Sequence, residues 1–212
     1  MAEFVLEYPA LRWSVVVAFL LAGVVVAARA MSAVPVAAAS VASARGPASV
    51  ARLTGAHDRE SDAAHLIMCA VMLAMLVFPV QAHAHAMRGV LIAMTVAFAM
   101  LLVVRVVEWH VDGRALPVAR ASALGYHVIA AAVMLYAMSG HTASGHTGGP
   151  AVMPAMGLAA LFVVDAGVLL ACTATGRPPR WLAHAGAHPG GFVPHIVMDL
   201  GTAYMLVAAV AG

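Results

Sequence analysis

The chain has 212 residues, of which 64% are hydrophobic and only 9% charged, whereas soluble domains run nearer about 45–50% apolar and about 25% charged. That balance excludes a water-soluble globule and leaves almost nothing for a separate aqueous domain. The net charge of +2 rests on eleven arginines and no lysine, so there is no basic face of the kind that tracks nucleic acid, and nucleic acid is excluded as a partner.

Six apolar stretches are long enough to cross about 30 Å of hydrocarbon: residues 11–30, 63–80, 89–107, 121–138, 153–174 and 194–211. Backbone polar groups must be satisfied internally in lipid, and none of the stretches has the two-residue alternation of a barrel strand, so the sequence predicts helices. The expected fold is all-α, a polytopic six-transmembrane-helix bundle forming one integral membrane domain over residues 1–212. Three helical hairpins are one way of packing it.

The first stretch ends in Ala28-Arg29-Ala30, which resembles a signal-peptide cleavage site. Glu3 and Glu7 stand where a signal would be basic, so a retained first helix is expected. Residues 31–62 read as a long, low-complexity connection, with Val50, Arg52 and Leu53 spaced for a short interfacial helix and Ser61 or Asp62 placed to cap the second helix. His83, His85 and Met87 are expected in the loop after the second helix. Glu108-Trp109-His110 ends the third, and Trp13, Trp109 and Trp181 suit the headgroup level. His141 and His146 fall in the connection before Met153 and Met156 open the fifth helix. His184 and His188 lie among Pro and Gly, which argue against a helical i, i+4 pair.

Arginine placement sets the orientation. Arg29, Arg45, Arg52, Arg59, Arg105, Arg114, Arg120, Arg177 and Arg180 fall on one side and only Arg12 and Arg88 on the other. Odd-numbered loops are therefore expected in the cytoplasm and both termini outside. Arginine without lysine, beside abundant Ala, Val and Gly, suits a GC-rich genome and hence a multipass protein of a bacterial inner membrane. Cys69 and Cys172 both lie in apolar runs and are expected as free thiols.

Against this background eleven His and fourteen Met stand out. Aligned on its first His, the second helix reads His65, Met68, Met72 and Met75; the fourth reads His127, Met134 and Met138; the sixth reads His195, Met198 and Met205. Steps of three and four keep these side chains on one helical face, and the orientation puts the three His at similar depth. A second group, His83, His85, Met87, His141 and His146, lies toward the opposite surface. Thioethers and imidazoles select soft Cu(I), while hard cations prefer oxygen, and a ladder of weak ligands exchanges an ion instead of trapping it. Cys69 adjoins this row as a stronger sulfur ligand. Asp199 shares a face with His195 at i, i+4, where a carboxylate orients a metal-bound imidazole, and Asp165 is a second acid within an apolar run.

Each residue alone also has a plain reading. Met fills irregular apolar gaps, a surface His bonds water or a carbonyl, and a buried Asp bonds a neighbouring helix. No Ser-His-Asp grouping, phosphate-binding glycine loop, H-E-x-x-H or C-x-x-C occurs, so no catalytic residue is assigned.

The runs His65–Met75, His127–Met138 and His195–Met205 resemble those of a family of small, His- and Met-rich multipass proteins of high-GC bacteria, catalogued as a domain of unknown function. The resemblance covers most of the six-helix region, implies a multipass fold and brings no established activity; likeness to copper-handling membrane proteins is in ligand type alone. The leading expectation is a copper(I)-binding membrane protein that conducts copper or delivers it to a membrane cuproenzyme, with membrane lipid and a homo-oligomer as further partners. Two alternatives use the same residues: a non-catalytic accessory subunit packed through its Met faces, and a haem b electron carrier with two of the three His on iron. In the haem alternative Gly125 and Gly201 make room for the porphyrin and Arg120 meets a propionate.

Overall fold

The computed structural model describes residues 8–41, 48–78, 80–112, 118–139, 141–142, 145–146, 149–175 and 192–211, with side chains placed for 8–31, 61–78, 85–111, 121–139, 149–175 and 192–211. Among these residues there are six helices: α1 (Pro9–Val41), α2 (Ala48–Val77), α3 (Val80–Asp112), α4 (Val118–Ala137), α5 (Val152–Thr175) and α6 (Phe192–Ala211). Between α4 and α5 a two-residue antiparallel ladder, β1 (His141–Thr142) with β2 (Gly145–His146), sets His141 opposite His146. The architecture is otherwise all-helical.

Three helices outrun the apolar stretches that announce them. The expected connection 31–62 is mostly helix, because α1 continues to Val41 and α2 begins at Ala48. The small and polar residues of 31–41 and the charged run at Arg52, Asp58, Arg59 and Glu60 hide these extensions from a reading by apolar length, although the backbone on both sides of 42–47 is helical. Ser61 and Asp62 consequently lie inside α2 and do not cap it; Asp62 pairs instead with Arg29 of α1 at 3.3 Å. Likewise α3 starts at Val80, so His83, His85 and Met87 stand on a helix and not in a loop. The α2 ladder stops at Val77, close before Pro79, a residue with no N–H to donate.

Four helical segments are long and apolar enough to cross a membrane: Pro9–Met31, His85–Val111, Val152–Thr175 and Phe192–Ala211; Ser61–Val77 and Ala121–Ala137 are shorter apolar helices. Neighbours in sequence pack closely, α1 on α2, α3 on α4 and α5 on α6. The first pair is antiparallel, since Arg12 meets Leu76 and Val77 at one end while Arg29 meets Asp62 at the other. In the last pair Leu169 clusters with Phe192, and Ala155 and Ala159 cluster with Leu206 and Ala209. The central element is α6, which touches α1, α2, α4 and α5 and buries twelve of its twenty residues. Large apolar side chains face outward on the surrounding helices, among them Leu21 and Val24 of α1, Val96 and Val103 of α3, and Leu161 and Val164 of α5. Such an outer surface suits lipid, where apolar exposure carries no hydration cost.

Candidate functional site: a histidine and methionine core

The helices α2, α4 and α6 touch one another, and each brings one buried His to the same place. His65, His127 and His195 are 4%, 1% and 1% exposed. Their ring centroids lie 4.8 Å apart for His65–His127, 4.5 Å for His65–His195 and 6.3 Å for His127–His195. The hydrogen bonds fix the tautomers of two of these rings. His65 Nδ1 is 2.7 Å from the carbonyl of Ser61, which only accepts, so His65 carries its proton on Nδ1. In the neutral ring Nε2 then accepts, and at 3.1 Å it accepts a hydrogen bond from His195 Nδ1, leaving the lone pair of His195 on Nε2. Phe98 of α3 stacks on His127 at 5.4 Å, and Tyr126 of α4 lies 5.0 Å from His195.

The methionines that share helical faces with these His point into the same core. Met68, Met72, Met75, Met134, Met138, Met198 and Met205 are all buried in one cluster, joined by Met94 of α3. Cys69 is buried in it as a free thiol, and Cys172 is a half-buried free thiol on α5. The core is tightly closed at Gly201: a Cβ there would fall on the ring of Phe19 from α1 and 3.1 Å from Met72 Cε. The room beside Gly201 that the haem alternative invokes is therefore filled by Phe19, whereas Gly125 has nothing within 4 Å of its Cβ position. Arg120 has no described side chain.

Asp199 is fully buried, and its Oδ1 accepts a hydrogen bond from Tyr126 Oη at 2.5 Å. Its Oδ2 is buried without a hydrogen-bond partner among the described residues, and Asp165 of α5 is half-buried. Tyr126, Met94 and Phe98 are absent from the expectations drawn from sequence. Spacing held a signal for two of them, since Met87, Met94 and Phe98 fall at steps of seven and four on α3. Tyr126 carries none beyond its place beside His127.

Of the second expected group only His85 and Met87 have described side chains. His85 is exposed, Met87 is half-buried against the core, and Met153 and Met156 are 84% and 44% exposed on α5. The side chains of His83, His141 and His146 lie outside the described set, as do residues His184, His188 and Trp181 altogether. The backbone alone brings β1, with His141, against α3.

Among the described residues no group of three or more His, Cys, Asp or Glu is arranged to hold a metal ion. The reason is visible in the histidines: His65 and His195 hydrogen-bond each other, and His127 meets His65 edge-on at an interplanar angle of 83°. Metal ligation at this place needs one imidazole to exchange its tautomer and thioethers to complete the shell. The 3.1 Å between His65 Nε2 and His195 Nδ1 is close to the roughly 3.3 Å that two nitrogens span on a tetrahedral metal with bonds of about 2.0 Å.

Apolar helices of membrane-crossing length, packed around buried imidazoles and thioethers, define a helical protein of membrane type. The chain belongs to the family defined by a domain of unknown function, DUF5134, whose model matches residues 57–209. The match takes in His65, His127 and His195 with all the methionines on their helical faces, while α1 lies before it. No curated protein and no solved structure matches the chain.

Proposed function

We propose that the protein is a copper(I)-binding integral membrane protein that conducts copper, or delivers it to a membrane cuproenzyme, through its His and Met core. The observation that carries this reading is the meeting of three buried His from three helices inside a cluster holding eight buried Met. Packing alone does not call for imidazoles at such depth, because polar groups inside a membrane bundle are costly and tend to mark sites and pathways. His65 and His195, with Met68 and Met198 one turn on, supply two nitrogens and two sulfurs, a set that suits Cu(I) better than a hard cation. His127, Met72, Met75, Met134 and Met205 continue the soft surface, and His65 to Met75 rises about 15 Å, or half the hydrocarbon core.

The same reading makes all six helices spans of the bacterial inner membrane, with both termini outside. Ser61–Val77 and Ala121–Ala137 carry their polar residues into the bundle, which lowers apolarity without presenting polar atoms to lipid. Each rises about 25 Å, short by an amount that local bilayer thinning accommodates. The arginine bias then places the His cluster toward the cytoplasm and Met75, Met138 and Met205 toward the outer face.

Elemental analysis and an optical spectrum of detergent-purified, reduced protein test the reading. Near-stoichiometric copper is expected, lost when His65, His127 and His195 are together replaced by Ala. Absence of stoichiometric copper overturns it, and a Soret band in its place assigns the site to haem.

A further inference from the structure

The rows on α2 and α6 match rung by rung except at the middle. Counted from its His, α2 carries Met at three, seven and ten residues, whereas α6 carries Met198 at three, Thr202 at seven and Met205 at ten. The two helices touch and run in one direction, because His65 meets His195 at one level and Met72 comes to Gly201 about two turns on. At that level α6 offers no sulfur: Gly201 has no side chain, and the buried Thr202 brings only oxygen, a poor ligand for a soft ion. Phe19 of α1 takes the place. It is the largest of the four side chains that α1 buries among the described residues, the others being Val16, Ala22 and Val26. The Cβ that Gly201 lacks would fall on Cε2 and Cζ, the tip of the Phe19 ring, and 3.1 Å from Met72 Cε, so ring tip and thioether methyl meet over one point of the α6 backbone. Arg12 and the Arg29–Asp62 pair fasten α1 to α2 on either side of the ring.

We propose that Phe19 is the gate of the metal path, closing it at the middle rung between the His end and the Met75 and Met205 end. The inference rests on the reading of the core as a copper(I)-conducting site. An ion leaving Met68 and Met198 travels about 10 Å to reach Met75 and Met205, and Phe19 fills the level in between with hydrocarbon that has no lone pair to offer. Apolar constrictions of this kind stop ions by withholding water and ligands alike. With the ring withdrawn, Met72 and Met134, each seven residues beyond its His, supply the sulfur of that rung. The ligands of the bound ion, His65, His195, Met68 and Met198, do not include this rung, so Phe19 governs passage and not equilibrium binding.

Ag(I), a redox-inert stand-in for Cu(I), is presented to the full chain in vesicles that enclose a thiol trap, with K+ leaving through valinomycin to balance the charge carried inward. Wild type, Phe19→Ala and Phe19→Leu are compared, with helical content checked by circular dichroism and Ag(I) binding titrated in detergent. Initial Ag(I) uptake is expected to rise about tenfold in Phe19→Ala, equivalent to about 1.4 kcal/mol off the barrier, and about threefold in Phe19→Leu, which keeps part of the plug. Ag(I) affinity is expected to change less than about threefold, and Na+ uptake to stay at the wild-type level. Ag(I) uptake that does not rise in Phe19→Ala overturns the inference, as do a rise matched by Na+, which marks a general leak, and a loss of Ag(I) binding in the folded variant. If Phe19→Ala does not fold, unchanged uptake in Phe19→Leu overturns it. A wild type that binds no Ag(I) overturns the soft-metal reading itself, which separates the two failures.

Discussion

At Gly201 the bundle has no room for a side chain, and the cause is a single ring. An added Cβ would fall on Phe19, whose rigid ring is fully buried between α1 and α6, so backbone or ring has to move. Gly201→Ala is expected to destabilise the protein by about 1–3 kcal/mol, as overpacking of a filled core does. Combining it with Phe19→Leu should recover part of that loss, a coupling that thermal unfolding of the two single variants and the double reads directly. Contacts of this kind are not legible in sequence. Helical arithmetic aligns His65 with Met68 and Met72, because those residues share one helix and one face. It says nothing of Phe19 against Gly201, or of Tyr126 against Asp199, which are 73 residues apart and meet only once the neighbours of α6 are known.

Among the elements, α1 shows how one helix is fastened to the rest at both ends. Its Arg12 donates from Nε to the carbonyl of Leu76 at 2.8 Å and from Nη2 to that of Val77 at 3.1 Å. These are carbonyls of the last turn of α2, where no further helical N–H arrives. Arg12→Ala is expected to cost about 1–2 kcal/mol and to raise hydrogen exchange in the last turn of α2. Arg12→Lys should recover only part of this, since an ammonium lacks the planar fork. Existence and order of the six helices were legible in the apolar runs. Their ends were not: the segments flanking 42–47 are helical although Pro35 on one side and the charged run 58–60 on the other break the reading of a span, and His83, His85 and Met87 looked like loop because His and Gly interrupt the hydropathy there. The two-residue ladder at His141 and His146 is shorter than any periodicity a sequence can display.

For the whole molecule, the convergence of α2, α4 and α6 was the step no residue pattern could supply. Three His at matching depth require their helices to be neighbours, and α6 makes them so by lying at the centre with α2 and α4 beside it. The proposed orientation has its own test. With Cys69 and Cys172 replaced by Ser, a single Cys at Ser139, exposed between α4 and β1, should react with a membrane-impermeant maleimide in cells whose outer envelope has been made permeable. A single Cys at Thr175, exposed at the end of α5, should react only after the inner membrane is opened. The opposite pattern would reverse the arginine-based topology and put the His cluster toward the outer face. In either orientation the histidines and the methionine row keep their order along the bundle, so the metal reading stands or falls separately. X-ray absorption at the copper edge of Cu(I)-loaded protein tests that reading most directly. The account predicts mixed imidazole nitrogen and thioether sulfur scattering at about 2.0 and 2.3 Å, with the sulfur shell reduced in the Met68→Leu/Met198→Leu variant. Copper coordinated by oxygen and nitrogen alone, with a spectrum indifferent to those two methionines, would contradict it.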